Sequence, residues 1–141
     1  MPRDPGQRLF TLDEANQLLP QLGKLIDRMQ KLYRSLLAEV RRAGYSPDDL
    51  DKLLADRKEN AGMTGALDEI SDCIATIESH GCLFKGLDTG LVDFPTVIND
   101  ELAYLCWQYG EEQVLYWHGL HEGFAGRHPI WPERVAKDKI N

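Results

Sequence analysis

The sequence predicts an α+β fold in which a long N-terminal antiparallel helical hairpin, about residues 11–80, packs on a C-terminal four-stranded antiparallel sheet. Two observations predict this class. Through the first half of the chain, apolar residues recur every three or four positions, which is the period of an amphipathic helix. Beyond Gly81 this period disappears, and short apolar runs separated by turn residues replace it. We expect one domain, residues 1–141, with the sheet and a glycine loop at about residues 82–131.

The first helix is predicted to begin at Thr11, because the segment TLDE has the spacing of a capping box. Its C-terminal signal is the run of residues 41–44, two arginines followed by Ala and Gly44. Pro20 lies inside the pattern and predicts a kink or a local break without ending the helix.

A third apolar row widens the buried face of this helix. It consists of Leu18, Leu25 and Leu32. If these leucines were exposed, they would form a large apolar patch on the protein surface. We therefore expect a homodimer.

The second arm of the hairpin has a weaker pattern. Residues 46–49 resemble a helix cap with proline in the first turn, and leucines follow at residues 50–54. The apolar period fades around Gly62 and Gly65 and resumes up to Ile77. The helix either bends at these glycines or starts again after them, and it should end near His80.

The C-terminal half is predicted to form an antiparallel meander, because turn residues such as Asn99, Asp100 and Gly110 separate its runs. Pro95 is assigned to one of these turns. The third run is apolar at both alternating sets of positions, so we expect it to be covered on both faces, by the helices and by a second subunit. The predicted strands are Cys82–Leu87, Leu91–Phe94, Leu102–Gln108 and Gln113–His118.

Composition excludes several classes of partner. The formal net charge of −7 argues against a nucleic-acid backbone. Apolar runs are short and the start MPRDPGQR has no apolar signal core, so we expect a cytoplasmic protein without a membrane partner. Cys73, Cys82 and Cys106 show no CxxC spacing, which favours reduced thiols in the core.

Several segments together resemble a bacterial family of unknown function, domain of unknown function 2203. They are FTLDEANQLLP at residues 10–20, LDTGLVDFP at residues 87–95, LCW, YWH, and GFAGR with Pro129. The resemblance covers nearly the whole chain and implies a bacterial, cytosolic, stand-alone protein. It implies no activity.

A metal site is one hypothesis for the acidic stretch from Gly86 to Gly126, which has no Lys or Arg. His118 and His121 supply imidazole nitrogens there, and carboxylates supply oxygens, a set suited to Zn, Mn or Fe. The competing interpretation is that His118 is a hydrogen-bonded packing residue at a strand end. The candidate metal ligands are His118, His121, Asp88, Asp93 and Glu122.

The tripeptide Asp88-Thr89-Gly90 matches the one that supplies the catalytic carboxylate of aspartic proteases. Such a site would require a homodimer and an all-β fold. An Asp-Gly hairpin turn is the favoured interpretation.

The loop GFAGR contains Gly123, Gly126 and Arg127. Its glycines and arginine are suited to binding an anion, but the surplus of acids favours a tight turn in which Arg127 neutralises a carboxylate. The predicted partner of Arg127 is Asp88, Asp93 or Glu122.

No catalytic residue is assigned, because no nucleophile elbow, P-loop or dinucleotide fingerprint occurs. The leading hypothesis is a non-catalytic assembly or binding module that self-associates, with no certain cofactor. The alternative is a metal-binding protein or a metal-dependent hydrolase that uses His118 with nearby carboxylates.

Overall fold

The structure, a computed structural model, describes residues 8–49 and 61–131. Within these residues, two α-helices come first, α1 and α2, and five strands, β1 to β5, form one antiparallel sheet in chain order. The α+β class is confirmed, but the sheet has five strands instead of the predicted four. The elements are α1 Leu12–Arg42, α2 Ala61–Glu78, β1 Leu83–Phe84, β2 Leu91–Ile98, β3 Glu101–Gln108, β4 Tyr116–Gly119 and β5 His128–Pro129.

Helix α1 begins with the predicted capping box. The Glu14 amide donates to Thr11 Oγ1 at 3.1 Å, and the Thr11 amide donates to Glu14 Oε1 at 2.9 Å. The helix is continuous through the exposed Pro20, so the local break does not occur. Gly44, at φ 85°, follows its C-terminus as predicted.

Helix α2 lies antiparallel to α1. Met63 near the start of α2 packs with Val40 at the end of α1, and His80 beyond the end of α2 contacts Gln21 at 3.2 Å. Of the two alternatives for this region, a bend or a restart after the glycines, the restart does not occur, because Gly62 and Gly65 both lie inside α2. The leucines at residues 50–54 lie outside the described residues, and a hairpin connection between the helices therefore stays a prediction.

The third row of α1 packs inside the chain. Leu18, Leu25 and Leu32 are half-buried and contact the main core. This packing removes the large exposed patch from which the homodimer was inferred, and the oligomeric state stays a prediction. No described helix has the length and apolar character that a membrane crossing requires.

The face of the sheet toward the helices, called the inner face here, is apolar. Val92, Phe94 and Leu105 have no exposed surface. Phe10 packs edge-on against Phe94, with ring centroids 5.2 Å apart. Because side chains alternate along a strand, the residues between these point to the opposite, outer face.

Strand β2 is longer than predicted and passes through Pro95. Pro95 lies opposite Tyr104 in the β2–β3 register, and its carbonyl accepts the Phe10 amide at 2.7 Å. The carbonyl and the ring nitrogen of one strand residue point the same way, so this nitrogen faces away from β3 and no ladder bond is lost. The chain reverses after β2 at Asn99 and Asp100, as predicted, with φ of 51° and 66°.

The other strand boundaries also differ from the prediction. The first strand is only Leu83–Phe84, the third begins at Glu101, and the fourth is Tyr116–Gly119. The fifth strand, His128–Pro129, pairs with Tyr116 and Trp117 of β4. It was missed because a two-residue strand is too short to show alternation.

Candidate metal site

Three strands bring one carboxylate, one thiol and one imidazole together on the outer face. Asp93 of β2 lies directly opposite Cys106 of β3, and His118 of β4 lies opposite Tyr104, two residues from Cys106. Residues two apart on a strand share a face, so His118 is the diagonal neighbour of Cys106. One ligand atom from each of Asp93, Cys106 and His118 lies within 4.8 Å of the other two. We call these three residues the outer-face trio.

The histidine of the trio is held at both ring nitrogens. Its Nδ1 lies 2.8 Å from the carbonyl oxygen of Gly119, and its Nε2 lies 3.0 Å from Oδ1 of Asp93. A carbonyl oxygen can only accept, so Nδ1 carries a hydrogen. Nε2 and the carboxylate must then share one further proton, as imidazolium with carboxylate or as imidazole with carboxylic acid.

All three residues are buried, with 3% of Asp93, 1% of Cys106 and 4% of His118 exposed. Burial and, to a smaller extent, the neighbouring Asp93 together raise the pKa of the Cys106 thiol to about 11, while Arg127 opposes the shift. The thiol is therefore protonated near neutral pH. A nucleophilic role of the free thiol is disfavoured, because the thiolate is the reactive form and His118 Nε2 is directed to Asp93 instead.

A metal ion fits this donor set. A thiolate, an imidazole and a carboxylate are the ligands of zinc sites, with bonds of about 2.0 to 2.3 Å, which place tetrahedral ligand atoms about 3.3 to 3.8 Å apart. An ion that takes the place of the shared proton would need to widen the 3.0 Å contact between His118 and Asp93 by a few tenths of an ångström. The Nδ1 hydrogen bond to the Gly119 carbonyl is the outer-sphere contact that orients metal-binding histidines.

A cavity of about 340 Å³ opens over the trio. Leu120, Glu122 and Phe124, from the segment after β4, form one of its walls. Lys85 and Leu91 line it from the region of β1 and β2. The trio is thus covered by the protein but reached from one side.

Comparison with known protein families shows to which family this chain is related. The model of a family described as "Uncharacterized conserved protein (DUF2203)" matches residues 8–130. The chain belongs to this family. No curated protein and no solved structure matched it.

Of the five metal ligands predicted for this DUF2203 protein, the structure places two in the trio and three outside it. Asp93 and His118 lie together in the trio. Asp88 is exposed in the turn before β2, and His121 is exposed in the turn after β4. Glu122 lines the cavity, but its Oε1 accepts the Gly119 amide at 2.7 Å and its carboxylate lies 3.2 Å from His128.

Asp88 serves a turn, as the favoured interpretation predicted. The Gly90 amide donates to the Gly86 carbonyl at 2.9 Å and closes the connection between β1 and β2. Gly90 has φ 66°, and a Cβ there would lie 2.8 Å from the side chain of Tyr109, so glycine is required. An exposed Asp88 in such a turn gives no support to a protease dyad.

The GFAGR loop is a tight turn that neutralises a carboxylate, but the predicted partner is wrong. Arg127 Nη2 donates to Glu111 Oε1 at 2.6 Å and to the Cys106 carbonyl at 3.2 Å. Glu111 follows β3, and the 3₁₀ turn Phe124–Gly126 returns the chain to it. A carboxylate oxygen of Glu122 also lies 3.0 Å from the position that a Cβ of Gly126 would take, and it would repel an anion bound in the loop.

Cys106 was not among the candidate metal ligands predicted from the DUF2203 sequence. It was assigned to the core because β3 is apolar at both alternating sets of positions. The signal that could have found it is the alternation of side chains along a strand. If Leu105 faces the helices, Cys106 must point to the opposite face, where Asp93 of β2 also lies.

Proposed function

We propose that this protein is a metal-dependent binding module, which holds a divalent transition metal, zinc foremost, through Asp93, Cys106 and His118. The observation that carries the proposal is the burial of these three donors within 4.8 Å of one another. Buried ionisable groups are rare unless they are paired or bind a metal.

The kind of donor supports zinc or cobalt over manganese. A cysteine thiolate is a soft ligand and selects zinc, whereas manganese prefers oxygen ligands. Binding would deprotonate Cys106, since metal-bound thiols are thiolates. Three protein ligands leave one position of a tetrahedral ion open, which is the pattern of sites that exchange ligands.

Ligand binding has more support than hydrolysis. A metal-dependent hydrolase needs a base beside the metal-bound water. Glu122 is the carboxylate that lines the cavity outside the trio, and both its oxygens have partners in the Gly119 amide and His128. These contacts lower the pKa of Glu122, first through the Gly119 amide and then through His128, and so make it a weaker base.

The test measures metal in protein purified without a histidine tag and then loaded with zinc or cobalt. We expect one equivalent of metal, and in the cobalt form a thiolate-to-cobalt charge-transfer band. The variant Cys106→Ala should lose the band and most of the affinity, because one of three protein ligands is gone. A matched control is Cys82→Ala, since Cys82 is 1% exposed and lies in the main core, away from the trio.

Two results would count against the proposal. One is the absence of stoichiometric metal together with an unchanged melting temperature in zinc or cobalt. The other is equal metal affinity in the Cys106→Ala and Cys82→Ala variants.

A further inference from the structure

The cavity over the trio has the size of a small-molecule site. Its volume of about 340 Å³ is near the lower end of the range for ligand pockets, about 300 to 1,000 Å³. The open position of the proposed metal would face this space. The walls of the cavity therefore indicate what could bind there, an inference that rests on the proposed metal site.

One wall carries a positive charge without a partner. Lys85 lines the cavity and makes no ion pair with any of the residues 8–49 and 61–131. The other charge at the rim is the carboxylate of Glu122, and it already has hydrogen-bond partners in the Gly119 amide and His128. A divalent ion bound by one thiolate and one carboxylate is neutral overall, so the Lys85 ammonium is the charged group at the cavity that a bound anion can pair with.

The remaining wall is apolar. Leu91 and Leu120 are half-buried, and Phe124 is 48% exposed at the rim. A half-exposed phenylalanine beside a cavity offers surface that an apolar ligand can cover, which is favourable in proportion to the area removed from water.

We propose that the cavity binds a small organic carboxylate, with its carboxylate on the open metal position near Lys85 and its apolar body against Leu91, Leu120 and Phe124. A carboxylate carries the single negative charge that one ammonium balances. A phosphate monoester carries close to two negative charges near neutral pH, and the second would have no partner.

The experiment titrates cobalt-loaded protein with acetate, butyrate, hexanoate and inorganic phosphate, with the visible cobalt spectrum as readout. Each added methylene should tighten binding about fourfold while the chain stays inside the cavity, since a buried methylene contributes about 0.8 kcal/mol. Hexanoate should therefore bind at least ~10-fold more tightly than butyrate, and phosphate should bind more weakly than hexanoate.

Two variants separate the head of the ligand from its body. Lys85→Met should weaken acetate and hexanoate by the same factor, about fivefold at low salt, and added salt should shrink the effect. Phe124→Ala should weaken hexanoate and leave acetate unchanged. Their matched controls are Lys24→Met, an exposed lysine of α1, and Tyr45→Ala, an aromatic residue of 46% exposure.

Each outcome bears on the inference. Equal affinity for acetate and hexanoate, tighter binding of phosphate, or an unchanged affinity in Lys85→Met would overturn it. If cobalt binds through Cys106 but none of the carboxylates perturbs the spectrum, the carboxylate site fails and the metal site stands. If cobalt does not bind, both fail.

Discussion

The two faces of the β2–β3 pair are both buried near their centre, but the side chains there differ in chemistry. Toward the helices, Val92, Phe94 and Leu105 are apolar and need only fit one another. On the outer face, the buried positions next to them in sequence include Asp93 and Cys106, and the acid requires the specific partner His118. Burial of an apolar face stabilises the fold. In a buried polar set, the interactions between its members at best balance the free energy that their desolvation costs. The contrast indicates that stability alone does not explain the outer face.

The largest expected effect comes from the inner face. Phe94→Ala removes a fully buried ring that packs on Phe10, and it should lower the free energy of unfolding by about 3 to 5 kcal/mol. Val97→Ala, at a half-buried outer position of the same strand, should cost about 1 kcal/mol. Urea unfolding in the presence of a chelator measures both. Equal costs would mean that the two faces contribute alike.

The next effect tests whether the outer face is kept for stability. Asp93→Leu leaves Nε2 of buried His118 without its partner and should cost about 2 to 3 kcal/mol in metal-free protein. Adding His118→Phe removes the orphaned group, so the double variant should recover most of this loss, since apolar replacement of a buried polar pair is often neutral or stabilising.

The single variant Asp93→Leu and the double variant with His118→Phe should both fail to retain metal. Native mass spectrometry of each variant measures this. A double variant as unstable as Asp93→Leu would show that the pair supports the fold. Metal retention by the double variant would place the metal elsewhere.

A smaller effect concerns the ion pair at the edge of the outer face. Arg127 and Glu111 have side chains 11% and 23% exposed and lie 2.6 Å apart. A double-mutant cycle with Arg127→Met and Glu111→Gln should give a coupling free energy of about 1 to 2 kcal/mol. The cycle with Glu122→Gln serves as control and should give none, because Glu122 is paired with His128. Coupling to Glu122 that equals the coupling to Glu111 would contradict the pairing.

The smallest effect distinguishes a thiol of the main core from the thiol of the outer face. Burial raises the pKa of both Cys82 and Cys106 to about 11. A folded-state pKa above the unfolded value of about 8.5 means that the stability from the protonated thiols is complete below about pH 8.5. It is then lost as the pH rises toward about 11.

In a Cys73→Ala background, which removes the third free cysteine, thiolate absorbance of the metal-free protein should show both thiols titrating in this alkaline range. Metal should remove the titration of Cys106 and leave that of Cys82, because only the former would be bound as thiolate. The variant Cys106→Ala identifies the signal that belongs to each cysteine. Two unchanged titrations in loaded protein would mean that the metal does not bind the thiol.

The sequence predicts helix α1 well because its signals are local. The Thr11 capping box and the cations before Gly44 mark the ends of α1, and a steady period lies between them. The sheet was predicted less accurately, because Pro95 was taken as a turn. Whether a proline can lie inside a strand depends on which side its nitrogen faces, and that depends on the pairing with β3 and on Phe10, 85 residues earlier in the chain.

The site was half predictable for a similar reason. His118 and Asp93 stand out as polar residues in apolar runs, but nothing local distinguishes Asp93 from the exposed Asp88. Cys106 resembles any small core residue until the strand register places it opposite Asp93. Register results from pairing between distant segments, so the composition of a ligand set cannot be read from spacing along one strand.

The tight reversal at Asn99 and Asp100 has a consequence for how the chain folds. It pairs β2 with β3 through a two-residue connection, so Asp93 and Cys106 meet by closing a short loop, and His118 follows only 25 positions after Asp93. Short loops close fast, and this meander can pair before the distant α1 docks on it. A slip of β3 by one residue would turn Cys106 to the opposite face. An ion captured at this stage would therefore favour the one register in which all three ligands meet, and would act as a template for the sheet.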